Sequence, residues 1–139
     1  MLNERRDEAR MPLQFFLNEY IDDRPQRCMS VNLGLGGLYL NRLALPDPRL
    51  GPRRPRRDQL VGLEFELPET SETIWAAGQI CHDITDRYFH GTGVRFDRMA
   101  DRHRRLVRDY VLDHRERRLR QLLARIKRNR RARQAFVPR

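Results

Sequence analysis

The chain has 139 residues, enough for one domain with some chain left for an appendage. Its net charge of +10 is unevenly placed: residues 98–139 hold sixteen Lys/Arg against four Asp/Glu, and residues 1–97 hold thirteen against fifteen. No run of about 18 apolar residues exists, which excludes a membrane-spanning helix. A charged N-terminus without an apolar signal segment predicts a cytoplasmic protein.

In chain order, residues 1–10 are polar and carry Arg5, Arg6 and Arg10. Residues 13–20 and 26–33 read as strands flanking a turn at Asp22-Asp23-Arg24-Pro25. Gly34-Leu35-Gly36-Gly37 interrupts, and Leu38-Tyr39-Leu40 resumes as strand. Residues 46–58 hold four prolines and five arginines and read as an exposed loop. Residues 60–67 alternate, with Val61, Leu63, Phe65 and Leu67 on one face. Residues 73–84 and 88–96 read as two more strands joined by a turn at Thr85-Asp86-Arg87. Several short strands separated by turn signals predict a small barrel or sandwich. Residues 101–134 contain neither Gly nor Pro and are rich in Arg, Leu, Glu and Gln, which predicts one long helix. Leu106, Val107, Tyr110 and Val111 give its first half an apolar face for the barrel. Leu112, Leu119, Leu122 and Ile126, widened by Leu123, make a stripe too narrow and too flanked by charge to be buried on all sides.

Cys28 and Cys81 are predicted to be buried free thiols, with no metal partner at close spacing. His82, His90, His103 and His114 are scattered and lack matched carboxylates. Asp83 and Asp86 read as turn residues, and Trp75 reads as core. No nucleophile stands with a base, so neither enzyme, metal site nor cofactor is expected.

Two segments carry the functional signal. Arg6 and Arg10 have the spacing RxxxR. Asn32-Leu33-Gly34-Leu35-Gly36-Gly37 follows about 20 residues later. Together and in this order they resemble the PilZ family, which pairs an RxxxR arm with an (Asp/Asn)xSxxG turn on a six-stranded barrel. Gly91-Thr92-Gly93-Val94-Arg95-Phe96 is similar to that family's closing GxGVxF strand, and Gly78 falls where the preceding strand often has Gly. The resemblance covers about residues 4–115. It implies a mostly β fold: a six-stranded antiparallel β-barrel (13–98), preceded by a mobile arginine-bearing arm (1–12) and followed by a long basic helix and tail (99–139).

The resemblance also implies a non-enzymatic cyclic di-GMP receptor, with Arg5, Arg6, Arg10, Asn32, Gly34, Gly36 and Gly37 at the ligand. The chemistry suits those residues. An arginine fork donates to both O6 and N7 of guanine and stacks on its face. Asn32 offers donors and acceptors. Arg5 beside the motif implies an intercalated ligand dimer. Gly34 departs from the motif, which has Ser there. One lost hydroxyl contact costs about 0.5–1.5 kcal/mol, or about 1.5–3 where it reached a charge. Backbone N–H groups of the Gly-rich turn offer compensation as an anion cradle. The expected output is a protein partner or self-association through Leu112, Leu119, Leu122 and Ile126. The alternatives are a ligand-free PilZ-like scaffold and nucleic-acid binding by the basic helix.

Overall fold

A computed structural model describes residues 10–43, 56–85 and 89–135. Arg5 and Arg6, most of the proline-rich loop, Asp86 and the last four residues lie outside the described residues. Seven strands precede one helix: β1 (Met11–Pro12), β2 (Phe16–Ile21), β3 (Arg24–Leu33), β4 (Gly37–Leu43), β5 (Leu60–Glu66), β6 (Thr73–Thr85), β7 (Phe89–Met99) and α1 (Asp101–Ala135).

The neighbour order is β1-β3-β2-β5-β6-β7-β4, and β3 also pairs with β4. Strands β2 to β7 therefore close into a six-stranded barrel, and β1 is a short flank on β3. Every pairing is antiparallel. Closure pairs each of β2 to β7 on both sides and so removes the edges that an open sheet presents. Alternation decides which residues fill it. Leu17, Cys28, Leu33, Leu38, Leu40, Val61, Leu63, Phe65, Ile74, Ile80, Val94 and Phe96 point inward and are buried. The rings of Phe15, Phe65 and Phe96 follow one another through the interior at 5.4 and 6.5 Å between centroids. Asp22 and Asp23 both take positive φ (50° and 64°). That is the two-residue turn whose twist suits a hairpin, and it lets Ile21 pair with Arg24.

The strand reading places the elements, with corrected bounds and roles. Arg24 and Pro25 belong to β3 rather than to the turn, and β7 runs three residues further than expected, to Met99. Trp75 is not core: it is 58% exposed on the outer face of β6. Cys28 is buried and Cys81 only partly so; both are free.

Helix α1 is unbroken over 35 residues, about 52 Å. Val107 and Val111 join the barrel core, with Leu106, Tyr110, Met99, Met11 and Leu13 packed against it. The first turns of α1 thus cover the barrel end where β7 stops, and they lie beside β1. Beyond Val111 the side chains are almost wholly exposed, Leu119 and Ile126 included (51% and 53%). Among the described residues no helix is long and apolar enough to cross a membrane.

Candidate functional site

The short strand β1 positions the candidate site. Met11 pairs with Leu33 and Pro12 with Asn32. Arg10 directly precedes β1, and Gly34 directly follows the paired Leu33. Just beyond, the Leu13 N–H bonds the Val31 carbonyl at 3.2 Å, and the Ser30 hydroxyl donates to the Leu13 carbonyl while accepting from the Phe15 N–H. The chain following Arg10 is thereby tied along β3. Arg10 is exposed. The structure therefore brings Arg10, Asn32, Gly34, Gly36 and Gly37 together; Arg5 and Arg6 lie outside the described residues.

The Gly-rich turn is held at both sides. The Gly34 N–H donates to the Gly37 carbonyl at 2.8 Å, and the Phe96 N–H donates to the Gly36 carbonyl at 2.8 Å. The first bond corrects one expectation: the Gly34 amide is engaged within the hairpin and is not a free anion donor. At Gly37 a Cβ would stand 2.2 Å from the Val94 carbonyl oxygen. Only glycine lets β4 approach β7 this closely.

Asn32 is partly buried, and its side-chain oxygen is buried without a hydrogen-bond partner among the described residues. It pairs across β4 with Tyr39, which in turn pairs with Gly93. Gly37 pairs with Arg95, an exposed outward side chain braced by Gln79 at 2.7 Å. Arg95 was missed in the sequence because it occupies the variable place in Gly-Thr-Gly-Val-Arg-Phe. The signal was present, since outward positions alternate with buried Val94 and Phe96.

A second polar assembly fills the opposite barrel end, built from residues that no sequence motif groups together. Glu19 is fully buried, and it accepts from Arg42 Nη2 at 2.9 Å and from Arg56 Nη1 at 2.9 Å. Arg56 reaches in from the segment read as an exposed loop. It also bonds Thr92 Oγ1 at 3.0 Å and, through its backbone N–H, Asp83 Oδ2 at 2.8 Å. His90 joins Asp83 through Nε2, and its Nδ1 lies 3.3 Å from Arg42 Nη1. Those contacts define a neutral imidazole that donates to Asp83 and accepts from Arg42. Burial, and then the Arg42 charge, push the His90 pKa down. Burial raises the Asp83 carboxyl, but the Arg56 backbone N–H, the Thr92 hydroxyl and the Arg56 charge outweigh it and hold it below its usual value. With His90 neutral, two guanidiniums balance two carboxylates. Asp83 is thus a buried ion-pair residue of β6, not a turn residue.

A closed six-stranded antiparallel barrel, with a short N-terminal strand tied beside its Gly-rich hairpin and one long C-terminal helix, defines the class of fold. The family model of the PilZ domain matches residues 4–113, and the chain belongs to that family. Three solved structures share the fold. The Bacillus subtilis inhibitor of motility, MotI/DgrA, has 16% identity and a TM-score of 0.64, covering 81% of this chain and 52% of its own. YcgR in complex with c-di-GMP from Escherichia coli has 15% identity and a TM-score of 0.63, covering 88% and 50%. The PilZ domain of Escherichia coli YcgR with c-di-GMP has 16% identity and a TM-score of 0.56, covering 85% and 98%. The chain thus spans about half the length of the first two. No curated protein sequence matches it.

Proposed function

We propose that this chain is a non-enzymatic cyclic di-GMP receptor of the cytosol, signalling through α1. One observation carries the reading: β1, which directly follows Arg10, pairs with β3 at Leu33 and Asn32, the strand end that leads into the Gly34–Gly37 hairpin. The c-di-GMP bound in YcgR supports it by likeness of fold and family. In this reading Arg6 and Arg10 take guanine edges and phosphates. Asn32 supplies its unpartnered oxygen to a guanine donor, and Arg95 adds a further cation beside Gly37. Arg5 extends the set to an intercalated ligand dimer. Residues 1–9 order over the barrel as the ligand binds. Because β1 lies beside α1, ordering of the arm is felt at the root of the helix.

The test is calorimetric titration with cyclic di-GMP of the wild-type chain and an Arg6→Ala/Arg10→Ala variant. Micromolar or tighter binding by the wild type, lost in the variant, is the expected result, with a stoichiometry of two ligands per chain. Absence of heat at high ligand concentration overturns the receptor reading. The second reading is a PilZ scaffold that binds no ligand. It is favoured by Gly34, which lacks the motif hydroxyl and whose N–H is engaged by Gly37.

A further inference from the structure

The distal half of α1 has the form of one side of a protein–protein contact. Leu119, Leu122, Leu123 and Ile126 fall at i, i+3, i+4 and i+7, the spacing of a helix that lays one face into a groove. Leu112 extends that face one turn pair toward the barrel. All five are between 46% and 56% exposed, though the helix is otherwise among the most polar parts of the chain. Arg118 and Arg125 border the stripe on one side, and Arg120 and Lys127 on the other. From Leu112 onward α1 has ten Lys/Arg against two Asp/Glu. Of these cations Arg120 has an acidic neighbour on its own helix, Glu116 at 2.6 Å.

The charge chooses among occupants. A second copy laid along the stripe would bring ten further cations against only two carboxylates, Asp113 and Glu116, so like charges would outnumber opposite ones across the contact. A phosphate backbone would use the cations but gives five large apolar side chains nothing to contact. A membrane surface needs a broad apolar face with aromatic residues, and this stripe is about 100° wide, aliphatic, and ringed by guanidiniums. An acidic protein helix with an apolar seam satisfies both the leucines and the arginines.

We propose that residues 112–130 of α1 dock an acidic amphipathic helix of another protein, the leucine stripe meeting its apolar seam and the bordering arginines its Asp/Glu flanks. This rests on the reading of α1 as the output element and names the partner's chemistry. It does not need the ligand reading to hold.

The probe is a synthetic four-heptad peptide with Leu at its seam and Glu at every flanking place, titrated into the full chain at about 150 mM salt, the regime of an ~8 Å screening length. The expected result is a one-to-one complex, at least tenfold weaker in a Leu119→Ser/Leu122→Ser variant and weakened by added salt. Both leucines are half exposed, so the variant retains the barrel, which its unfolding transition verifies. Sedimentation of the chain alone is expected to give no dimer that the double variant abolishes. Such a dimer would assign the stripe to a second copy and overturn the proposal. So would failure of the peptide to bind, or random-sequence duplex DNA binding tighter than the peptide and indifferent to the two leucines. Cyclic di-GMP titration is scored separately, so loss of the receptor reading and loss of this one are told apart.

Discussion

A Cβ on Gly37 would press on the Val94 carbonyl at 2.2 Å, and backbone cannot step aside as a side-chain tip can. Gly37→Ala is therefore expected to cost about 1–3 kcal/mol in urea unfolding, the usual range for overpacking a tight site. It should also weaken ligand binding by spreading the hairpin from Arg95. Glu19 presents the opposite case, a buried charge held by two arginines. Glu19→Gln leaves both guanidiniums short of a counter-charge and is expected to lower stability by about 3–5 kcal/mol, the cost of breaking a buried pair. Glu116→Gln removes an exposed partner of Arg120 and is expected to leave the urea midpoint unmoved. Single residues were also where the sequence was hardest to read. Gly37 was legible because a motif places it. Arg42, Arg56 and Asp83 are not legible, because the two arginines are drawn in by the carboxylates of Glu19 and Asp83, which lie far from them in sequence. Trp75 reads as core because a tryptophan on a strand usually is, although its neighbours Ile74 and Ala76 are the buried ones.

At the level of elements, the six barrel strands announce themselves through alternation and the helix through composition, so their order is legible; β1 is not, because its two residues fall in the stretch expected to be a mobile arm. The strand ends are not legible either, since hydrogen bonding carries β7 past Phe96 and the Asp22-Asp23 turn is shorter than its polar run. The barrel end built by β2, β4, β6 and β7 has a pH signature. The folded chain holds His90 with a lowered pKa. Below the ordinary histidine value of about 6.5 the unfolded chain binds a proton that the folded chain refuses, so stability is full above that pH and falls as pH drops toward the folded value. Asp83, also lowered, adds a second loss below the ordinary carboxylate value near ~4. Denaturation midpoints from pH 8 to 2 should show both declines, and His90→Gln should remove the first while leaving the second. The root of α1 gives another test. Val107→Ala with Val111→Ala removes four buried methyl groups, or about 3 kcal/mol at roughly 0.8 kcal/mol each. The expected outcome is loosened helix amides by hydrogen exchange, with the barrel strands still protected.

For the whole molecule, the two ends of the barrel carry different work. One end is sealed by the Glu19–Arg42–Arg56–Asp83–His90 assembly and anchors the fold. The other gathers β1, the Gly-rich hairpin and the packed turns of α1 within one neighbourhood. A receptor whose arm is ordered by ligand should gain thermal stability with the logarithm of ligand excess, about 2.7 kcal/mol at a hundredfold excess over Kd. That gain should vanish in the Arg6→Ala/Arg10→Ala variant, as scanning calorimetry can check. The candidate face was legible in outline because two short motifs mark it. The contact of β1 with α1 was not, because nothing in a sequence says that an N-terminal flank returns to lie beside a helix root ninety residues later.

Trp75 is the single tryptophan of the chain. Its indole N–H is held by Glu64 at 2.9 Å, its backbone N–H by His103 at 3.3 Å, and its ring lies 6.0 Å from the His103 imidazole. His103 belongs to the first turn of α1, so the one strong fluorophore sits on the barrel wall against the base of the lever. Its emission is a native optical gauge of that joint. Any tilt of the helix away from β6 alters the quenching imidazole and the wetness of the indole at once, and the protein reports its own motion without a label.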